Sequence, residues 1–362
     1  MAREAGVSVA TVSRAINGKG PIREATRRRI CRVVEKLRYA PHGAARSLIT
    51  RQTHTLGVLL PDLFGEFFSE LIRGIDVTAR QRGYHLLVSG SHGDRVETQG
   101  LLRAFRGRVD GLIALSPDLG ALAFEANLPP GFPVVLLNGD DRRSAYGSIR
   151  VDNYGGAFAM ARHLIRLGHR RIAFVTGPIR NPDAAERLRG YRDAVGRPGR
   201  DGALEIPGDF REDAGYRAAS RLLRCKPLPT AVFAANDAMA IGLLCALRQR
   251  HVRVPEDLAL AGFDDIPIAR FIAPPLTTVR VPIAELGSRA TARLLHALEE
   301  GDGSPGGEEI LPTTLVVRSS CGAQLPARAG AVPPRPRPPE PNDEPNEIEE
   351  REFVTLSKEE GS

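Results

Sequence analysis

The spacing of apolar residues changes near residue 55 of this 362-residue chain. Before it, apolar positions recur at helical intervals. After it, short continuous apolar runs such as 55–60 (TLGVLL) alternate with amphipathic segments such as 68–82. This alternation is typical of parallel strands covered by helices on both faces. Two such series follow each other, divided near residue 151, so the pattern predicts two doubly wound lobes.

The N-terminal pattern predicts a helix-turn-helix. Gly6 allows a tight chain reversal because glycine adopts positive φ without steric cost, and Ser8 is a suitable N-cap for a helix over Val9–Ile16. In that helix Val12 and Ile16 lie one turn apart on the inner face, which leaves Val9, Ala10, Ser13 and Arg14 on the outer face. A further helix over 24–38 presents four inner apolar residues: Ile30, Val33, Val34 and Leu37. An ordinary capped surface helix is the alternative for Val9–Ile16 taken alone.

Charge is distributed unevenly along the chain. Residues 1–50 contain eleven Lys and Arg but three Glu, a net charge of +8. Such asymmetry indicates a polyanionic partner. Cys31, Cys225, Cys245 and Cys321 are scattered without metal-ligand spacing, so we expect buried or unreactive thiols in a reducing compartment.

Several functional classes lack support in the sequence. No glycine-rich phosphate loop follows a strand, and no set of catalytic side chains stands out, so we expect no enzyme, cofactor or metal. With no apolar run of membrane-spanning length and no leader pattern, a cytoplasmic location is expected. Residues 323–362 are rich in proline and then in acids, a composition that predicts disorder.

An ordered series of motifs closely resembles the LacI–GalR family of bacterial transcriptional repressors. It runs through AREAGVSVATVSRAING, YAPHGAARSL, TLGVLLPDLFGEFFSELIRGI, VDNYGGAFAMARHLIRLGHRRIAFVTG, ERLRGYRDAV, ANDAMAIG and LALAGFDDIPIARFIAPPLTTVRVP. The resemblance implies an α/β protein with an all-α helix-turn-helix head and hinge helix, then a two-lobed periplasmic-binding-protein-like core of doubly wound parallel sheets. The predicted parts are a head over 1–41, a hinge and linker over 42–53, a core over 54–322 and a C-terminal segment over 323–362. Within the core, the N-lobe takes 54–151 and 280–309, and the C-lobe 152–279 and 310–322.

The resemblance also implies DNA contacts. Val9, Ala10 and Arg14 would reach base edges, with Arg14 suited to guanine, while Ser8, Thr11, Ser13 and Asn17 would hold phosphates. Ala45 and Leu48, in the hinge helix over 42–49, would enter the minor groove, where Leu48 would act as a wedge. His42 replaces the family's usual Asn. Because the family has further residues before Ala2, and a Val where Met1 stands, we expect that part of the first helix precedes this sequence.

An effector cleft between the two lobes is the other implied site. Its residues by motif are Phe67, Phe68, Arg187, Phe210, Asn236 and Asp264, with Ser116 and Asn138 as weaker candidates. Amide and charged groups bind vicinal hydroxyls, and aromatic rings pack against the apolar face of a sugar. Since the sequence offers Arg187 and Asp264 no evident partner, we expect a hydroxyl-rich ligand to provide one for each. Asp152 and Asp265 are expected to be structural, and core packing competes as the role of either Phe67 or Phe68.

The sequence therefore predicts a homodimeric repressor that binds double-stranded operator DNA and responds to a small polyhydroxylated effector, most simply a sugar. One alternative is a sugar- or nucleoside-binding protein without a role on DNA, and another is a Rossmann-type enzyme. The basic first fifty residues favour the repressor over both alternatives.

Overall fold

A computed structural model describes residues 2–16, 21–37, 52–115, 121–138, 146–196, 203–301 and 306–323. It divides the chain into two units, the first comprising 1–150 and 282–311 and the second 151–281 and 312–362. Residues 42–51 of the predicted hinge and linker, and nearly all of the C-terminal segment, lie outside the described residues. A hinge helix and a disordered C-terminal segment therefore stay predictions.

In the head, α1 spans Val9–Ile16 and α2 spans Glu24–Lys36. Gly6 has the positive φ that its turn requires, 59°. Ala5, Val12, Ile30 and Val33 form a small buried cluster, with Val34 partly buried beside it. Leu37 was predicted to face this cluster, and that prediction is wrong: it is 44% exposed, because α2 ends at Lys36 and Leu37 is the residue after its last turn.

The core of the first unit is a six-stranded sheet in the order β11-β5-β4-β3-β1-β2. Its strands β1 to β5 form a parallel series, and β1, β3 and β4 are almost wholly buried. The strands are β1 Thr55–Leu60, β2 His85–Gly90, β3 Gly111–Ala114, β4 Val134–Leu137, β5 Gly147–Val151 and β11 Glu308–Leu311. The helices are α3 Glu66–Gln81, α4 Arg95–Phe105, α5 Ala121–Asn127 and α10 Ile283–Glu300, and α3 packs along α10.

The second unit contains a parallel four-stranded sheet in the order β7-β6-β8-β9, and a short antiparallel pair, β10 and β12. The strands are β6 Ile172–Val175, β7 Ala203–Ile206, β8 Ala231–Ala234, β9 Ala259–Ala261, β10 Thr278–Arg280 and β12 Thr314–Val316. The helices are α6 Asn153–Arg166, α7 Pro182–Val195, α8 Glu212–Leu223 and α9 Asp237–Gln249, with 3-10 turns at Pro267–Arg270 and Ser319–Cys321.

Helices of the second unit pack in two pairs, α6 with α7 and α8 with α9. The second pair touches backbone to backbone, because a Cβ on Gly215 would lie 2.0 Å from the Met239 carbonyl oxygen and one on Gly242 1.9 Å from that of Glu212. The four cysteines are free thiols, but only Cys321 is buried, and Cys31 and Cys245 are exposed. In the described ranges every helix is too short or too polar to cross a lipid bilayer.

Candidate functional site

Helix α1 begins as the sequence predicts. Ser8 Oγ accepts a hydrogen bond from the Thr11 backbone N–H at 3.2 Å, and the Ser8 and Thr11 hydroxyls lie 2.9 Å apart. The same N–H also donates to the Ser8 carbonyl oxygen at 3.0 Å, so both oxygens of Ser8 bind the first turn of the helix. On the inner side, Val12 is buried. The cap and this apolar contact together orient the eight-residue helix.

The outer face of α1 carries the predicted base-contacting residues. Val9 is 75% exposed, and Ala10 and Arg14 are also exposed. Arg14 Nε donates to the Ala10 carbonyl oxygen at 3.3 Å, which holds the side chain along the helix. Ser8 is exposed, whereas Thr11 and Ser13 are partly buried. Asn17, Ala45 and Leu48 lie outside the described residues.

The positive charge of the head is concentrated on α2. Arg27, Arg28, Arg29 and Arg32 are exposed there. Arg28 pairs with Glu24 at 3.3 Å, and Lys36 Nζ lies 2.7 Å from Glu4 Oε1, a contact that raises the pKa of Lys36 through its hydrogen bond to Glu4. These exposed pairs are weak. Because the exposed arginines of α2 outnumber its acids, the surface of the head is positive and attracts polyanions.

A second arrangement of polar groups surrounds Arg187, which projects from α7 in the second unit and is 5% exposed. Its Nε donates to Asn153 Oδ1 at 2.8 Å and its Nη1 donates to the Ala235 carbonyl oxygen at 2.6 Å. Its Nη2 lies 3.0 Å from Asp264 Oδ1. The guanidinium is therefore oriented by three separate parts of the chain.

Two aromatic rings enclose the same guanidinium. Its carbon atom lies 3.9 Å from the centre of the Phe263 ring and 5.5 Å from that of Phe210. Phe210 has φ 73°, and its carbonyl oxygen accepts a hydrogen bond from Asn236 Nδ2 at 2.8 Å. Asn236 also caps α9, because its Oδ1 accepts from the Met239 N–H at 3.0 Å. Asn236 thus fixes the backbone of Phe210 beside Arg187.

Asp264 stands on strained backbone. Its φ is 114° and that of Asp265 is 56°, a region that non-glycine residues rarely occupy. The neighbouring chain holds it there: the Asp264 N–H donates to the Val279 carbonyl oxygen at 2.8 Å, and the Asp264 carbonyl oxygen accepts from the Val281 N–H at 3.1 Å. Strain that the surroundings maintain in this way is frequent at ligand sites.

Asp265 supports the same turn. Its carboxylate accepts from Arg280 at 2.7 Å and from Arg318 at 2.6 Å. Asp152 caps α6 by accepting from the Gly155 N–H at 2.8 Å. Both contacts agree with the structural roles expected for these two residues.

The Asp264 carboxyl is buried, and burial raises its pKa to about 6, an effect that the nearby Arg187 guanidinium opposes. Among the described residues, no donor makes a well-directed hydrogen bond to Asp264 Oδ1, although Arg187 lies close to it. The expectation that Arg187 and Asp264 lack protein partners is wrong, because they form an ion pair with each other. The incomplete hydrogen bonding of Oδ1 nevertheless suits a ligand hydroxyl.

Sequence reasoning missed three residues of this site: Phe263, whose ring lies against the guanidinium, and two polar residues. Asn153 bridges Arg187 to Asp183 Oδ1, to which its Nδ2 donates at 2.9 Å. Asp237 is fully buried and accepts from the Thr278 hydroxyl at 2.6 Å and the Ile266 N–H at 3.0 Å. Burial, and then the charge of Asp264, raises the pKa of Asp237. Their only signal in the sequence is position, since each polar residue follows closely on a buried strand.

The other predicted effector residues belong to the first unit. Phe67 and Phe68 lie in the first turn of α3, both partly buried, with their rings edge to face at 5.5 Å. Asn138 follows β4 with φ 53°, is 7% exposed and donates its N–H to the Ile149 carbonyl oxygen at 2.9 Å. Ser116 lies outside the described residues. A role for Phe67, Phe68 and Asn138 in effector binding stays a prediction.

Comparison with known proteins gives matches over nearly the whole described chain. Residues 1–42 match the model for bacterial regulatory proteins of the lacI family, and residues 161–321 match that for a periplasmic binding protein-like domain. The ribose operon repressor of Escherichia coli K12 is 38% identical over 304 residues, covering 83% of this chain and 92% of its own length. The repressor CytR of the same strain is 34% identical, covering 89% and 95%.

Solved structures agree with these matches. A lac repressor dimer bound to operator and the anti-inducer ONPF is 30% identical, with a TM-score of 0.79, over 88% of this chain and 97% of that one. A regulator from Enterococcus faecium with bound ribose is 30% identical, with a TM-score of 0.67, over 74% and 98%.

The chain belongs to the lacI family of bacterial regulatory proteins.

Membership in the lacI family confirms the resemblance inferred from the motifs and the predicted α/β fold with a helix-turn-helix head. A lacI-family protein is a DNA-binding transcription regulator, and the exposed face of α1 belongs to the part of the chain that matches the lacI model. The relatives reported above are repressors, and neither is named as an enzyme.

Proposed function

We propose that this lacI-family protein is a repressor whose affinity for operator DNA is controlled by a sugar bound beside Arg187 and Asp264. One observation carries the proposal: a buried arginine–aspartate pair with an incompletely hydrogen-bonded carboxylate oxygen lies against two aromatic rings. An ion pair on the surface would be hydrated and would have no aromatic rings around it. A buried pair of this kind loses its hydration, so a ligand that restores hydrogen bonds is stabilising.

The chemistry of these groups suits vicinal hydroxyls. A hydroxyl donates to Asp264 Oδ1, and a neighbouring hydroxyl oxygen accepts from the Arg187 guanidinium, whose five N–H groups exceed its three described contacts. The partly buried Phe210 ring offers an apolar surface to the C–H groups of a sugar ring. Because one relative is a ribose operon repressor and one neighbour was solved with ribose, ribose is the first sugar to test.

On the DNA side, we propose that the exposed face of α1 reads the major groove through Arg14, with apolar contacts from Val9 and Ala10. A helix of eight residues contacts few bases, so useful specificity needs two copies on a palindromic site. The lac repressor neighbour was solved as a dimer on its operator. We accordingly propose a homodimer.

The test couples the two sites in one experiment. An operator is selected from a random DNA pool, and its affinity for the full chain is measured at fixed salt with and without ribose and a panel of other sugars. We expect one sugar to change operator affinity and to raise the melting temperature of the wild type. Asp264→Asn should lose both responses, whereas Asp193→Asn, at an exposed carboxylate of α7, should keep them.

Two results would contradict the proposal. If the Asp264→Asn protein keeps the wild-type sugar affinity by calorimetry, the effector site lies elsewhere. If no DNA sequence is enriched in the selection, the head does not read bases.

A further inference from the structure

Helix α8 presents a row of positive charge. Arg217, Arg221 and Arg224 follow one another at intervals of four and three residues, so they lie on one side of the helix. All three are exposed, while the opposite side, with Ala218 and Leu222, is buried. We call Arg217, Arg221 and Arg224 the arginine face. A groove of about 520 Å³ beside it is lined further by Pro207, Gly208 and Asp209.

The arginine face is poorly neutralised. Some exposed arginines of the second unit have close carboxylates, since Arg192 lies 2.7 Å from Glu205 and Arg253 lies 2.7 Å from Asp257. Others, such as Arg162 and Arg166 of α6, have no ion pair among the described residues. On the arginine face, only Arg217 has an acid nearby, Asp209 at 3.6 Å. Within the described ranges, no carboxylate pairs with Arg221 or Arg224. Asp213 lies one turn before Arg217 on the same side of the helix and is also exposed. Three neighbouring cations with these two carboxylates leave a net positive surface, which attracts a polyanion.

The chain itself contains a polyanion of suitable charge. Segment 340–352 (EPNDEPNEIEERE) has seven acids and one arginine, a net charge of −6. It begins 17 residues after Ala323, the last described residue. At up to about 3.1 Å per residue, a proline-rich chain of that length can reach about 50 Å.

The distance to be bridged is shorter. The last described turn, Ser319–Cys321, contacts β9 at one edge of the four-stranded sheet. Helix α8 packs on β6 and β7 toward the other edge. Four strands at about 4.8 Å spacing are only about 15 Å across, so the connection is long enough to reach α8.

We propose that the acidic segment 340–352 binds the arginine face of α8 in the same chain. Each exposed ion pair is weak, but attachment to the same chain gives the segment an effective concentration near the millimolar range. The contact is electrostatic and therefore decreases with salt. When bound, the segment neutralises the arginine face in place of DNA phosphates, which limits non-specific attraction of DNA to this helix.

The lysine content of the chain makes the proposal directly testable. There are four lysines, at 19, 36, 226 and 358, so Lys226 is the only one between residues 52 and 323. It is exposed and lies two positions after Arg224. Carbodiimide joins an amine to a carboxylate only when the two touch. We expect it to join Lys226 to an acid of 340–352 in the full chain at low salt.

The chain provides an internal reference and a matched control. The Glu4–Lys36 pair, with its 2.7 Å contact, should be joined in every low-salt sample. Relative to it, the Lys226 product should fall at least about fivefold in R221Q/R224Q at low salt. In about 1 M salt, where screening weakens the reference pair as well, the Lys226 product is measured per amount of chain and should fall to the same extent. Arg189→Gln, at an exposed arginine of α7, should leave the yield unchanged. Mixing ¹⁴N- and ¹⁵N-labelled chains shows whether the product forms within one chain.

Three results would overturn the proposal. If Glu4–Lys36 forms and the Lys226 product does not, the acidic segment does not occupy the arginine face. A dominant product between 340–352 and Lys19 or Lys36 would place the segment on the head instead. An unchanged yield in R221Q/R224Q would show that Lys226 meets the acids by random encounter only.

Discussion

In the head, the side chains proposed to read DNA stand in solvent on one short helix, with Val9 75% exposed. In the second unit, Arg187 and Asp264 have only 6% of their side-chain surface exposed and are held by contacts from several distant segments. Side chains that read DNA must be accessible in the free protein, and exposure on one face of a helix meets this requirement. A small ligand is bound by groups that give up water, which requires a rigid and buried frame. The two regions should therefore respond differently to substitution.

The largest effect is expected from Arg187→Ala. Removing the guanidinium leaves the Asp264 carboxyl buried without its counter-charge, which costs about 3–5 kcal/mol of folding free energy. The measurement is urea unfolding of the full chain. Arg189→Ala should change stability by less than about 1 kcal/mol, because its pair with Glu186 is exposed. If Arg187→Ala is equally mild, the buried pair does not differ from a surface one.

Ile30→Ala tests the head by the same logic. Ile30 is 1% exposed in a cluster of four buried residues, so its truncation should cost about 2–3 kcal/mol, near the lower end for an isoleucine. Operator binding should be lost, while the melting-temperature response to the sugar remains, since that response belongs to the second unit. Loss of both responses would mean that the two regions do not fold separately.

Arg14→Ala should act on DNA binding without affecting folding, because the residue is exposed. We expect operator binding to weaken by about 1–3 kcal/mol, with relaxed discrimination at one base pair of each half-site. The measurement is anisotropy at fixed salt on the selected operator, on single-base variants of it and on random DNA. An equal loss on all of these DNAs would assign Arg14 to phosphate contact alone.

The smallest effect concerns pH. Burial raises the pKa of Asp264 to about 6, so a hydroxyl that donates to its carboxylate binds best above that pH. Sugar affinity should fall as the pH decreases through 6, by up to about tenfold for each unit below it. Calorimetry between pH 5 and pH 8 measures how the logarithm of the sugar affinity changes with pH. Below pH 6 the expected slope corresponds to roughly one proton released for each sugar bound. Operator binding by the head should not show this dependence without sugar.

The contribution of Asp264 to folding stability changes with pH in the opposite direction to the sugar affinity. The native carboxyl holds its proton more tightly than the unfolded chain does, because its pKa is raised. Its contribution therefore favours the native state at low pH and is lost as the pH rises through about 6. Asp264→Asn, which should not bind the sugar, should remove this contribution to folding stability, while the contribution of the buried Asp237 remains. A pH-independent sugar affinity in the wild type would show that Asp264 does not accept a hydrogen bond from the ligand.

Much of the fold could be predicted from local patterns. The cap at Ser8, the turn at Gly6, helix α1 and strand β1 were found because apolar spacing and turn residues report burial over a few neighbouring positions. Helix α10 was not predicted. Its 18 residues carry an amphipathic pattern, but the helix falls outside the alternation of short strands and helices from which the other elements were predicted.

The sequence by itself determined the family, through its ordered motifs. It also determined the helix-turn-helix and the exposure of Val9, Ala10 and Arg14 on α1, because these depend on residues close together in the chain, although Ser13, expected on the same face, is partly buried. Only the tertiary structure decided that Arg187 and Asp264 pair with each other and that Asn153 orients the guanidinium. These groups are 34 and 77 positions from Arg187 along the chain. What brings them together is the order of strands in the sheet and a strained turn at Asp264. Local spacing contains no information on either, since both result from packing between distant segments.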